Sequence, residues 1–584
     1  MSEKPTALLQ APGPEGRPLW LRFGPPQQVH VARSLAEVVP ALEEVERATA
    51  EDGAWAAGFL AYEAGPAFDP ALDAHPPGDL PLAWWGLFDT PEELDTEELD
   101  AERPGSALEW RPLVSEDAYH LAIEEIRELI AAGETYQVNY TFPLEATFEG
   151  DPLDLFLGLA RAQRGGCCGF LDLGEVAICS ASPELFFELE GDVLRSRPMK
   201  GTARRGRTLA EDLESRRALQ ASAKDRAENV MIVDMVRNDL GKIASPGSVT
   251  TDKLFEVETY PTLLQLTSTV SGRTRAGLVE IFRALYPCAS ITGAPKVATS
   301  RIIRRLEPHP RGAYTGALGW IAPKRRARFN VAIRTVTVER EAGRARYGVG
   351  SGIVWDSDAA SEYEECRTKA RVLAAPAPEF ELLETLLWRP KSGYFLLERH
   401  LERLLASAEY FAIPTGREAI ARALEELERG FAPERHRVRL LVDRRGRPRA
   451  EAAPMPCSGR RGFRAALATS PIDPDDVFLF HKTTHRRVYD DALAQHPECD
   501  EVLLHNPRGE LTELARGNLV LRIDGQYLTP PVSAGLLAGT YRAELLERDR
   551  IREARLPIAE LERASAAFLI NSVRGWVRLE LQGC

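Results

Sequence analysis

Ser222-Ala-Lys-Asp-Arg-Ala-Glu-Asn-Val-Met-Ile-Val-Asp-Met-Val-Arg-Asn-Asp-Leu240 reads as one long helix whose polar residues are as informative as its apolar ones. Ser222 can cap its start, with Asp225 three residues on. Val230, Ile232, Val233, Val236 and Leu240 give it a buried side. Glu228 lies one turn before Ile232, and a carboxylate beside an apolar face needs a partner, either an arginine or a metal. Further on, Val331-Ala-Ile-Arg-Thr-Val-Thr-Val338 carries the β-branched run of a strand, with Arg334 inside it. Helix and strand signals therefore mix, and the expected fold class is α/β (α+β).

A chain of 584 residues is too long for one hydrophobic core. Its formal charge of -14 offers no global attraction to nucleic acid or to an anionic membrane, and neither is expected as a partner. The opening MSEKPTALLQAPGPEG has no apolar core of signal-peptide length, and no uninterrupted apolar run reaches about 18 residues, so a cytoplasmic protein is expected. The eight cysteines form neither a C-x-x-C pair nor a ladder of ligand spacings, which favours reduced thiols. There are only ten lysines, so each one is worth inspecting. At Ala374-Ala-Pro-Ala-Pro-Glu-Phe380 alanine and alternating proline replace periodic helix, as in an extended connector. The expected organisation is a first domain over 1–373, a linker over 374–380 and a second domain over 381–584.

Ser196-Arg-Pro-Met-Lys-Gly-Thr-Ala-Arg204 puts Lys200 into a Gly-Thr turn. Glu362, Glu365 and Lys369 are spaced to share one helix face, with Asp358 placed to cap it. Adjacent carboxylates repel unless a cation lies between them, and with Glu228 they would make the oxygen-only site that Mg²⁺ prefers. The same spacing also describes a solvated face on which Lys369 neutralises glutamates. Arg334 offers a fork suited to bidentate capture of a carboxylate. Nine motifs then fall in one order: Glu134-Thr-Tyr-Gln-Val-Asn139, Ala181-Ser-Pro-Glu184, the Lys200 turn, Ala223 to Asp234, Ser290-Ile-Thr-Gly-Ala-Pro-Lys296, Tyr314-Thr-Gly-Ala-Leu-Gly319, Ala332-Ile-Arg-Thr335, Gly350-Ser-Gly-Ile-Val354 and Glu362-Tyr-Glu-Glu365.

From about residue 115 to 373 this series resembles the chorismate-binding enzymes. The resemblance implies a two-sheet sandwich with flanking helices around one site. Glu228, Glu362 and Glu365 would hold Mg²⁺ against a carboxylate of chorismate. Thr292, Tyr314, Arg334, Gly350, Ser351, Gly352 and Lys369 would contact the substrate. Relatives that add water at carbon 2 carry a lysine base where this chain has Gln137, an amide that cannot remove a proton near neutral pH. Relatives that add ammonia at carbon 2 carry alanine where this chain has Lys200. The implied chemistry is attack of the Lys200 amine at carbon 2 with loss of the 4-hydroxyl, followed by addition of ammonia at carbon 4. Glu184 would be the general acid for the leaving hydroxyl.

The second half resembles fold-type IV pyridoxal-phosphate enzymes through His400-Leu-Glu-Arg-Leu404, Phe480-His-Lys-Thr-Thr484 with Arg486, Gly509 to Asn518, and Leu537-Ala-Gly-Thr-Tyr-Arg542. By that resemblance Lys482 carries pyridoxal 5'-phosphate and Glu513 pairs with its pyridine nitrogen. Arg403 and the Thr540 amide beside Gly539 would hold its phosphate. The usual opening of this fold is reduced to Phe380-Glu-Leu-Leu-Glu-Thr385, and Thr385 falls near the substrate threonine of relatives. Such relatives usually dimerise, which would make the chain a homodimer through this half.

Taken together, the resemblances imply conversion of chorismate and ammonia through 4-amino-4-deoxychorismate to 4-aminobenzoate and pyruvate, for folate synthesis. No glutaminase nucleophile turn is visible, so ammonia is expected from a separate glutamine amidotransferase. Two alternatives remain open here. One is an anthranilate-forming enzyme joined to an aminotransferase, against which Lys200 argues; the other is a synthase with a non-catalytic docking module.

Overall fold

The computed structural model describes residues 4–13, 18–95, 99, 108–163, 165–373, 378–455 and 462–582. Most of the expected linker, 374–377, lies outside them. The chain divides into two compact units, one of residues 1–204 and 216–377, the other of 205–215 and 378–584. The second unit is thus not contiguous in sequence. Its early segment is fastened there by Arg205, whose guanidinium lies 4.2 Å over the Tyr410 ring, and by Tyr410 Oη, which donates to Gly206 O at 2.7 Å. The Arg207 carbonyl accepts from the His481 ring at 3.1 Å. Among the described residues no helix is long and apolar enough to cross a membrane.

The first unit is built on two antiparallel sheets, each of ten strands among the described residues. One runs from Gln137–Thr147, near one edge, through Arg344–Ile353, Thr335–Glu339 and Val176–Ser180 to Ala7–Pro12. The other runs from Met199–Arg204 through Leu263–Arg273, Val193–Arg197 and Leu185–Glu190 to Arg326–Val331, Ala317–Ala322 and Trp55–Leu60. The strand period of two explains how they stack. In Trp55–Leu60, Ala57 and Phe59 pack with Leu9, Leu171 and Ile178 of the first sheet, while Ala56 and Leu60 pack with the helices on the other side. Both faces are buried, which is why this strand reads as a continuous apolar run.

The helix read from the sequence spans Ala223–Gly241, and the Ser222 hydroxyl accepts the Asp225 amide at 3.2 Å, as expected. Its buried side holds Ile232, Val233, Val236 and Leu240, but Val230 is 40 % exposed. At 100° per residue Val230 stands well round the helix from Ile232. The expected strand 331–338 is two strands. Arg326–Val331 pairs within one sheet and Thr335–Glu339 within the other, and the chain crosses between them at Arg334. Arg334 is therefore not inside a strand. It holds a left-handed φ of 52°, a conformation costly for a side chain with a Cβ and often kept at a functional site.

In the second unit the apolar run Leu382–Arg389 forms a strand paired with His436–Val442, which pairs in turn with Pro448–Pro454. One face of this sheet, with Leu382, Leu386, Val438 and Leu440, packs on the helices Leu397–Tyr410 and Arg417–Glu428 through Leu401, Leu404, Ile420 and Leu424. A mixed eight-stranded sheet, again among the described residues, carries Leu511–Leu514 and Gly517–Ile523. Its core is Leu503, Leu511, Leu519, Leu521 and Leu569.

Candidate active sites

The first unit encloses a cavity of about 300 Å³ to which the two sheets and the helix Ala223–Gly241 contribute. Lys200 enters it from Met199–Arg204, and the pairing of that strand with Leu263–Arg273 slips between Met199 and Thr202. The expected Gly-Thr turn is thus a bulge in a strand, and Gly201, at φ 97°, supplies its left-handed residue. Lys200 Nζ makes no hydrogen bond or ion pair among the described residues, and only its carbonyl is held, by Asn229 Nδ2 at 3.3 Å. Burial pushes the amine below the ordinary lysine value, with Glu228 pulling the other way and Lys369 reinforcing the shift. Gly352 forms the facing wall: a Cβ there would stand 2.3 Å from Lys200 Nζ and 2.5 Å from Gln137 Nε2. Both polar atoms of the Gln137 amide are buried without a hydrogen-bond partner.

Glu184 lines the same cavity at 3 % exposure, and Ser290 Oγ donates to its Oε1 at 2.7 Å. Burial raises its carboxyl to about 7, against the opposing pull of that hydrogen bond and of Lys200. Near neutral pH it can therefore hold a proton and give it up, the property a general acid needs.

Glu228, Glu362 and Glu365 all line the cavity. Asp358 caps the helix of Glu362 and Glu365, Ala359–Ala370, by accepting from Ser361 N at 2.9 Å. Among the described residues the three carboxylates are not drawn together as a formed metal cluster. Glu362 accepts from Ser357 Oγ at 2.7 Å, and Glu365 pairs with Lys369 at 2.7 Å. Lys369 holds the Glu365 carboxyl below its ordinary value. Glu228 has no partner among the described residues, and burial raises its pKa. A half-buried carboxylate with no partner among the described residues, lining the same cavity as two others, offers the oxygen-only donor set that fits a hard divalent cation.

Tyr314, Arg334, Gly350, Gly352 and Lys369 line the cavity. The Tyr314 ring lies against Gly348, where a Cβ would stand 2.1 Å from it. Arg334 donates to the Lys369 carbonyl, and Lys369 Nζ donates to Gly350 O at 2.9 Å. Thr292 and Ser351 are not in the wall. The Thr292 hydroxyl donates to Cys288 O at 3.0 Å, and that of Ser351 bonds Tyr119 Oη at 2.9 Å. Both motifs reach the cavity through neighbouring residues, Ser290 with Ile291, and Gly350 with Gly352.

Sequence reasoning missed the support behind this wall. Arg311, with its side chain 2 % exposed, donates to Asn139 O at 2.7 Å and Ile291 O at 2.9 Å and grips both oxygens of Glu307. Glu63 accepts the Arg311 and Gly312 amides at 2.7 and 3.0 Å. Asn139 and Ile291 line the cavity, so one guanidinium ties two of its walls together. Nothing in the periodicity of Glu307-Pro-His-Pro-Arg311 announces this role.

The second unit holds a larger cavity, about 720 Å³, into which Lys482, Arg403, Glu513, Gly539 and Thr540 all face. Lys482 is lowered to about 8, first by burial and then by Arg403. Glu513, 3 % exposed, accepts from Tyr489 Oη at 2.7 Å and from the Leu537 amide at 3.1 Å, and burial raises it to about 7. Glu384, which the sequence reading did not single out, is the hub. Burial opposes its charge, yet Arg403 and His400 hold its carboxyl down to about 2. Arg403 grips it through Nε at 2.8 Å and a terminal nitrogen at 2.7 Å, and His400 Nε2 bonds Thr540 Oγ1 at 3.1 Å. Gly539 caps the helix Thr540–Glu547, so the first amides of that helix open on the cavity. A lysine with no side-chain partner among the described residues, a helix start with an arginine beside it, and a buried carboxyl on the same cavity fit pyridoxal phosphate.

Two such units, one a paired-sheet sandwich around a lysine with no side-chain partner among the described residues and the other a lysine cavity of the pyridoxal type, define an α/β protein with a candidate active site in each unit. The chain belongs to the chorismate binding enzyme family, whose pattern matches residues 7–375, and it carries an amino-transferase class IV domain over residues 381–580. The chain is 44 % identical over 272 residues to an aminodeoxychorismate synthase of Streptomyces griseus, covering 46 % of this chain and 36 % of that one. It is 40 % identical over 258 residues to aminodeoxychorismate synthase component 1 of Klebsiella aerogenes, covering 44 % and 57 %. The chain thus spans between about a third and three-fifths of the length of these relatives. In fold it matches anthranilate synthase component I from Streptococcus pneumoniae TIGR4, with a TM-score of 0.51 at 23 % identity over 64 % of this chain and 91 % of that one.

Proposed function

We propose that the first unit converts chorismate and ammonia to 4-amino-4-deoxychorismate and that the second releases 4-aminobenzoate and pyruvate from it. The observation that carries this reading is Lys200, a half-buried lysine whose desolvated amine has lowered basicity and no partner among the described residues, on the same cavity as a protonatable Glu184. The Lys200 amine attacks carbon 2, both conjugated ring double bonds shift by one position, and the carbon 4–oxygen bond breaks so that the 4-hydroxyl leaves as water with the Glu184 proton. Ammonia then adds at carbon 4, both double bonds shift back, and the carbon–nitrogen bond to Lys200 breaks, returning the free amine. Glu228, Glu362 and Glu365 would hold Mg²⁺, which would offset the charge of a substrate carboxylate. The nitrogen would come from a separate glutamine amidotransferase.

In the second unit Arg403 and the amides at Thr540 would hold the phosphate of pyridoxal phosphate, and Glu513 its ring nitrogen. That cofactor supplies an electron sink when bound. Lys482, whose amine is partly neutral near pH 8, is the base for the proton on ring carbon 4. Removing that proton as pyruvate departs leaves an aromatic ring. The reading is tested by supplying chorismate, Mg²⁺ and an ammonium salt and identifying the product. An anthranilate product would overturn it.

Two further outcomes follow from the first cavity. Glu365→Gln keeps the size of the side chain but removes the charge, so the Mg²⁺ concentration for half-maximal synthase activity rises on the order of tenfold or more. Turnover of supplied 4-amino-4-deoxychorismate is untouched. An unchanged Mg²⁺ requirement would return Glu365 to a purely electrostatic pairing with Lys369.

The pH dependence gives the second. Glu184 acts only when protonated, so kcat/KM for chorismate falls as pH rises above about 7. The Ser290 hydrogen bond favours the ionised carboxylate, and removing it raises the pKa of Glu184 further. Ser290→Ala therefore moves the alkaline limb to higher pH, and a limb that stays put or moves down would remove Glu184 from the acid role.

A further inference from the structure

Among the described residues the wall of the second cavity carries seven arginines and a lysine against one carboxylate, Glu513, in a chain whose net charge is -14. Most of these arginines are matched by acids outside the wall: Arg403 by Glu384, Arg439 by Glu451, Arg516 by Glu501 and Arg542 by Glu553. Arg486 donates to Ala515 O at 2.6 Å, and Arg574 lies over the Phe463 ring. Arg437 differs from all of them. Its side chain has no ion pair, hydrogen bond or ring contact among the described residues.

The strand period explains its isolation. Arg437 and Arg439 are two residues apart in His436–Val442, so both side chains leave the sheet on the face opposite Val438 and Leu440, which are in the core. Cross-strand, Arg439 stands beside Thr385 and Glu451 and takes Glu451 at 2.9 Å. Arg437 stands beside Leu387 and Ala453, neither of which can accept. An arginine on the cavity face, flanked by apolar neighbours, leaves its whole planar fork free for a carboxylate from solution.

We propose that Arg437 binds the ring carboxylate of the second cavity's substrate and so selects cyclic dianions over simple amino acids. This rests on the reading that the cavity processes 4-amino-4-deoxychorismate, in which a carboxylate sits across the ring from the amine. With the amine directed to Lys482, the far carboxylate needs a cation away from the Glu384 and Glu513 ends of the site, and Arg437 alone among the wall's arginines is wholly uncommitted.

The test uses the full-length protein loaded with pyridoxal phosphate. 4-Aminobenzoate, which keeps the ring carboxylate, is titrated while the cofactor absorbance is followed, and KM and kcat are measured with 4-amino-4-deoxychorismate. Arg437→Ala is expected to weaken 4-aminobenzoate binding and raise KM on the order of tenfold or more. It should leave kcat and the starting cofactor spectrum nearly unchanged, and Arg437→Lys should fall between. Equal 4-aminobenzoate affinity in wild type and Arg437→Ala would overturn the proposal. Weakened binding in the variant, together with no turnover of 4-amino-4-deoxychorismate by the wild type, would uphold the carboxylate site and reject the lyase reading instead.

Discussion

Lys200→Ala is expected to lower the rate of carbon 4 amination by at least about 10³-fold, because it deletes the proposed nucleophile while leaving Glu184 and the glutamates in place. The geometry makes the outcome more specific than a loss of rate. Lys200 Nζ and Gln137 Nε2 both reach the Gly352 wall, so truncating the lysine opens space where a small nucleophile could approach carbon 2 directly. Any residual amination should therefore shift from carbon 4 towards carbon 2, and the product should shift from 4-aminobenzoate towards anthranilate. Mass spectrometry of a quenched wild-type reaction should show an adduct on the peptide that carries Lys200. Undiminished carbon 4 amination in the variant would mean that Lys200 only orients substrate by its charge, and the covalent step would have to be abandoned.

Local signals carried much of this site. The caps at Ser222 and Asp358 were readable because a cap is settled within four residues, and both hydrogen bonds are present. The spacing of Glu362, Glu365 and Lys369 placed the Glu365–Lys369 pair for the same reason. What failed depends on distance. Arg334 looked like a strand residue because apolar residues flank it on both sides, yet the two flanks belong to different sheets, and no local pattern reports which sheet a strand will join. Thr292 and Ser351 sit in motifs that reach the cavity, but motif membership says nothing about which way a side chain turns, and these two turn away. Arg311 and Glu384 escaped notice because each matters through partners distant in sequence. Segment 205–215 is the strongest case, since its place in the second unit follows only from contacts such as that between Gly206 and Tyr410.

Lys482→Ala separates the two chemistries. The variant should form no detectable 4-aminobenzoate or pyruvate and should lose the visible absorbance of bound pyridoxal phosphate, a fall in turnover of at least about 10³-fold. Chorismate consumption should stay near the wild-type rate, because Lys200, Glu184 and the glutamates belong to the other unit and to a different cavity. 4-Amino-4-deoxychorismate should therefore accumulate in proportion to the chorismate consumed. The environment of Lys482 supports a large effect: burial and the neighbouring Arg403 hold its amine at about 8, and among the described residues no other lysine lines the cavity to take over. Added methylamine, which can stand in for a deleted lysine base, should restore part of the turnover if Lys482 moves the proton at carbon 4. If chorismate consumption fell in parallel with 4-aminobenzoate formation, the two reactions could not be assigned to separate units.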